Sequence, residues 1–162
     1  MINYRQFFSR SARSMKRSEI RELLKLTRKE GIISFAGGLP APDLFPVEEI
    51  TDIVQDLMEK VGTTMLQYGP TEGDPLLREQ LVEMLRREGV ELNIDNLFII
   101  TSSQQGLDLI SKILIDPGDI IMSGTPTYVG ALGAFNAYGA EVHGIRLDNR
   151  GINTALLEYE IT

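Results

Sequence analysis

The sequence of 162 residues contains no cysteine and a single histidine, His143. A disulfide framework and a thiolate metal site are thereby excluded, and no histidine cluster with metal-ligand spacing is left. Long apolar runs are also missing: none approaches the ~20 residues of a membrane span, and no apolar segment of the signal-peptide type follows the start. Basic residues are in deficit, sixteen Lys/Arg against twenty-three Asp/Glu for a net charge of −7. A nucleic-acid partner is disfavoured on that ground, because a phosphate backbone demands clustered cations. What is present is a 43% apolar share, enough for one ordinary core, in a single domain or a piece of a larger one. The expectation is a soluble, cytoplasmic chain with no membrane partner and no metal.

Charge is unevenly placed. Residues 1–30 hold nine Lys/Arg and three acids, about +6, and the remainder about −13. This start, with Arg5, Arg10, Arg13, Lys16 and Arg17 among Ser9, Ser11 and Ser14, shares the low acid content of organellar transit peptides. We read it instead as an arm or first helix that packs on a partner subunit.

Hydrophobic periodicity gives the element order. Ser18 can cap a helix through Lys29, with Ile20, Leu23 and Leu24 on its apolar face and Gly31 at its end. The stretch from Ser34 to Pro46 (SFAGGLPAPDLFP) has two glycines and three prolines, which suggests a shaped loop. Val47, Ile50, Val54, Leu57 and Met58 predict a helix from 47 to about 60, stopped by Gly62. LQYGPTEGDP is a second Gly/Pro loop, with Asp74 as N-cap and Pro75 at the first position of a helix that buries Leu77, Leu81, Met84 and Leu85. Residues 96–101 (NLFIIT) read as a buried parallel strand, followed by a helix through Leu107, Ile110, Ile113 and Leu114. After the turn at 116–119 come a strand at 120–123, a helix opened by Thr125-Pro126-Thr127 and closed by Gly139, and a strand at 140–147. Alternating strands and helices define an α/β fold with a mostly parallel sheet and flanking helices.

In open α/β sheets ligands bind beyond the carboxyl ends of the strands. Here that place is Thr101-Ser102-Ser103-Gln104-Gln105, where free N–H groups and the helix dipole favour an anion and serine hydroxyls add donors. On this turn alone, Ser102 or Ser103 acting as a simple helix cap explains the pattern as well.

Four segments read together go further. SFAGGLPAPDLFP, LQYGPTEGDPLLRE, TSSQQGLDLI and DPGDIIMSGTPTYVGALGAFNAYGAEV resemble, in order and spacing, the class I/II aminotransferases, fold-type-I enzymes that use pyridoxal 5'-phosphate (PLP), nearest to the 2-aminoadipate and kynurenine aminotransferase branch. The resemblance extends from about Tyr4 onward. It implies that Ser103 and Gln104, with Ser102 beside them, hold the cofactor phosphate, that Tyr128 stacks on the pyridine ring, and that Tyr68 reaches across a homodimer to the other subunit's phosphate. It further implies that the backbone of Gly38 lies near the substrate carboxylate and that Arg21 approaches a distal carboxylate, which a guanidinium fork suits. Arginines on amphipathic helices more often face solvent. Relatives usually carry glycine where this chain has Ser102.

The resemblance also defines what is not recognisable here: the lysine that holds the cofactor, an aspartate opposite the pyridine nitrogen, an Asn-Pro segment, and a C-terminal arginine for the α-carboxylate. None of Lys16, Lys25, Lys29, Lys60 and Lys112 has the Ser-x-x-Lys setting of relatives. The expectation is therefore an N-terminal fragment, residues 1–46 forming arm, first helix and substrate-side loop and 47–162 an incomplete PLP-binding large domain. The chain alone is expected to be inactive, and the parent enzyme to move an amino group between an amino acid and a 2-oxo acid. Alternatives are a PLP-sensing regulatory domain, a noncatalytic remnant, or another fold-type-I enzyme such as a β-lyase.

Overall fold

The computed structural model describes residues 3–15, 31, 35 and 38–161. The expected helix from Ser18 to Lys29 lies outside the described residues. The chain divides into two compact units, one formed by Met1–Ser34 with Thr101–Thr162 and the other by Phe35–Ile100.

In the first unit, helix α4 (Ser102–Leu114), strand β1 (Ile120–Thr125), helix α5 (Val129–Tyr138), strand β2 (Glu141–Asp148), strand β3 (Gly151–Ile152) and helix α6 (Thr154–Ile161) follow one another. Strands β1 and β2 pair in parallel, from Ile120 opposite Glu141 to Thr125 opposite Arg146. The two-residue β3 pairs antiparallel with the end of β2, so the sheet is mixed, and this hairpin was not foreseen. Asp148 Oδ1 accepts the Arg150 N–H at 2.7 Å, and Gly151 takes the positive φ of 119° that the turn requires. Asn153 then starts α6, its Oδ1 accepting the Leu156 N–H at 2.9 Å.

The core of this unit is built on small residues. Ala134 and Ala137 on α5, with Ala140, are buried, and Ile145 on β2 is 1% exposed. Small side chains let α5 lie close against β2 and α4, and burying Ile145 contributes about 2–3 kcal/mol. Gly139, at φ 83°, closes α5 in the left-handed cap conformation. That helix begins at Val129 rather than at 125–127, because Thr125 still belongs to the β1 ladder and Tyr128, still in extended conformation, is the N-cap. The described part of the basic arm, helix α1 (Arg10–Ser14), packs on α5 of its own chain, where Ser14 Oγ donates to the Asn136 carbonyl at 3.2 Å.

In the second unit, helices α2 (Val47–Met65) and α3 (Pro75–Arg87) are joined by the Gly/Pro loop. Gly62 does not stop α2: the helix kinks at Val61, where φ is −137°, and runs on to Met65. One interior glycine costs a helix only about 1 kcal/mol. Asp74 caps α3 as expected, its Oδ1 accepting the Leu77 N–H at 2.9 Å. The expected strand at 96–101 is not formed. Asn96 closes a short 3-10 turn, and the following residues find no ladder partner among the described residues; the Ile99 N–H donates to the Glu72 carbonyl at 2.9 Å. Arg78 fixes this segment to α3 by donating to the carbonyls of Leu97 and Ile94 at 3.0 and 2.6 Å.

Candidate functional site

Helix α4 opens directly from the 97–100 segment, with Thr101 as N-cap and no side-chain bond from that threonine. Ser102 has φ 76°, the one positive value found for a residue other than glycine among the described residues. A side chain in this region costs about 1–2 kcal/mol, and such strain gathers at functional sites. The structure thus puts Ser102 in a conformation suited to glycine.

The simple capping explanation does not describe this turn. Neither serine hydroxyl has a hydrogen-bond partner among the described residues; the side chain that folds back is that of Gln105, whose Oε1 accepts the Thr101 N–H. Ser102, Ser103 and Gln104 are exposed. The first-turn N–H groups, the positive end of a helix of 13 residues, are open to an anion.

Across from this turn, Gln104 Nε2 donates to the Gly130 carbonyl at 3.2 Å. Tyr128 is the N-cap residue of α5, and its ring lies over Gly130: a β-carbon built there would be 2.7 Å from Tyr128 Cζ and 2.6 Å from Gln104 Oε1. Gln104 and Tyr128 are therefore brought together around one glycine, and Tyr128 keeps 58% of its surface free. Further along the same helices, the Tyr138 hydroxyl donates to Asp108 Oδ1 at 3.2 Å. Its acidity is lowered, the pKa pushed above the ordinary value, first by desolvation and then by the bond to Asp108 and the charge of that carboxylate. At the end of β1, Ser123 Oγ donates to Thr127 Oγ1 at 2.9 Å. Gly130, Asp108 and Tyr138 escaped the sequence reading, because each partner lies far away in the chain and no local pattern signals it.

The remaining candidates belong to the second unit or lie outside the described residues. Tyr68 is 100% exposed. Gly38 has φ 58° with nothing within 4 Å of an added β-carbon. Arg21 lies outside the described residues. Among the described lysines, Lys60 is paired with Asp56 at 2.6 Å on α2, and Lys112 is exposed in the last turn of α4.

This arrangement fits the phosphate and ring face of a PLP-type cofactor: an open helix start, unpartnered hydroxyls, and an accessible aromatic ring side by side. Comparison with known proteins agrees. Residues 39–162 match the family model for aminotransferase class I and II, and the chain belongs to that family. Aromatic-amino-acid aminotransferase 1 of Thermococcus litoralis is 48% identical over 162 residues, which is 99% of this chain and 39% of that protein. The structure of Pyrococcus horikoshii kynurenine aminotransferase in complex with PMP superposes with a TM-score of 0.86 at 44% identity, covering 98% of this chain and 39% of that one. An alpha-aminoadipate aminotransferase from Thermus thermophilus, complexed with N-(5'-phosphopyridoxyl)-L-leucine, gives 0.86 at 35% identity over 99% and 39% of the respective chains. The chain spans about 39% of the length of these relatives. Its fold is that of the N-terminal part of an α/β, fold-type-I aminotransferase, and the family's cofactor is PLP.

Proposed function

We propose that this chain is the N-terminal part of a PLP-dependent aminotransferase that exchanges an amino group between an amino acid and a 2-oxo acid in the cytoplasm. The observation that carries the reading is the convergence of Gln104 and Tyr128 on Gly130 beside the uncapped start of α4. PLP, when bound, supplies the electron sink for chemistry at the substrate α-carbon. Ser103 and Gln104 would hold its phosphate through backbone N–H groups, with the Ser103 hydroxyl and neighbouring Ser102 as further donors. Tyr128 would lie against the ring and restrict its tilt. In a homodimer, the exposed Tyr68 would reach the other subunit's phosphate. Gly38 and Arg21 would face the substrate's α-carboxylate and distal carboxylate. Residues 1–46 then act as arm and substrate-side segment and 47–162 as part of the cofactor domain. The names of the relatives favour aromatic or 2-aminoadipate donors.

The test is a PLP titration of the intact parent protein. Ser103→Ala removes one charge-assisted hydrogen bond, about 1.5–3 kcal/mol, and should weaken binding roughly ten- to a hundredfold. Ser103→Asp adds repulsion of the phosphate and should weaken it further. Unchanged affinity in both variants, with folding verified, would leave the turn without a cofactor role.

A further inference from the structure

Helix α5 contains two glycines, Gly130 and Gly133, with opposite surroundings. A β-carbon on Gly133 would meet nothing within 4 Å. On Gly130 it would stand 2.6 Å from Gln104 Oε1, 2.7 Å from Tyr128 Cζ and closer still to Tyr128 Cε1, far inside the ~3.5 Å at which carbon atoms touch. Neither glycine has a positive φ, so backbone freedom explains neither, and a helical glycine is worse than alanine for the helix itself. At Gly130 the missing β-carbon has a specific consequence: it leaves space that the Tyr128 ring and the Gln104 amide share, while the Gly130 carbonyl accepts from Gln104 Nε2 at 3.2 Å.

We propose that Gly130 is a positioning residue of the cofactor site, its bare Cα and its carbonyl together setting the Gln104 amide and the Tyr128 ring side by side. The inference rests on the cofactor reading above. Both neighbours are side-chain ends, and Tyr128 is 58% exposed, so an added methyl group swings them aside instead of breaking the helix. The site is misaligned while the fold stays intact. Gly133, three residues on, provides the matched control.

The experiment compares wild-type, Gly130→Ala, Gly133→Ala and Ser103→Ala forms of the intact protein by PLP titration, by thermal midpoint without PLP, and by the tyrosine near-ultraviolet circular dichroism. Both glycine variants should melt at the wild-type temperature or above it, because alanine favours the helix. Gly133→Ala should bind PLP as wild type does. Gly130→Ala should bind about tenfold or more weakly, with an altered tyrosine signal. If Gly130→Ala binds as tightly as Gly133→Ala while Ser103→Ala binds weakly, the positioning role is wrong and the cofactor reading stands. If none of the variants changes affinity, both fail. A lower melting temperature for Gly130→Ala without PLP would mark a structural role and also overturn the proposal.

Discussion

Gln104 and Tyr128 in the first unit converge on Gly130, whereas Tyr68 and Gly38 in the second sit on loops with few contacts among the described residues. Gln104 is tied to Gly130, 26 residues away, and one helical turn further along α4 Asp108 is tied to Tyr138. Among the described residues Tyr68 has only its own N–H engaged, by the adjacent Gln67 side chain at 2.8 Å, and its ring is fully exposed. The contrast separates two kinds of site residue. One kind is preorganised by the unit's own packing and loses little freedom when a ligand arrives. The other gains its geometry from whatever it meets, which agrees with a proposed role for Tyr68 across a dimer.

The largest effect that would break this contrast is in the core of the first unit. Ile145→Ala removes the most deeply buried large side chain there and should lower the unfolding free energy by about 3 kcal/mol, read from the denaturant midpoint. A Tyr68→Ala substitution in the same measurement should leave the midpoint unchanged within about 0.5 kcal/mol, as for other exposed positions. Equal losses would mean that the loop is packed after all.

A smaller effect concerns Ser102, whose φ of 76° stores strain beside the preorganised pair. Ser102→Gly should relieve it and stabilise the protein by about 1 kcal/mol, seen as a raised midpoint. Destabilisation would show that the serine side chain holds the turn by a contact that outweighs its strain.

The smallest is a pH effect at the Asp108–Tyr138 tie. Tyr138 has its pKa raised above 10.0 by desolvation and by Asp108, so the folded state favours the neutral phenol. That contribution is fully present below the unfolded-state value near 10 and is lost as pH rises through the higher folded value. Wild-type stability should therefore fall more steeply above pH ~10 than that of Tyr138→Phe. Parallel curves would mean that the hydroxyl is not engaged.

Local signals were the legible ones. The Asp74-Pro75 helix start, the apolar stripe of α2 and the Gly139 stop all follow from residues within one or two turns of each other. The failures are non-local. The apolar run at 97–100 has strand character but a strand exists only with a neighbour, and none is found among the described residues. The β2–β3 hairpin rests on a turn that apolar periodicity does not mark. The candidate site divides in the same way: Ser103, Gln104 and Tyr128 are proposed from the resemblance of whole segments, while the convergence of Gln104 and Tyr128 on Gly130 is visible only in the distance between two helices.

The central claim is that the start of α4 holds the cofactor phosphate, and a crystal structure of the intact protein grown with PLP tests it most directly. The account predicts phosphate oxygens about 2.7–3.2 Å from the backbone nitrogens of Ser103 and Gln104, with the pyridine ring stacked on Tyr128. A phosphate bound elsewhere, with these N–H groups facing only water, would contradict it.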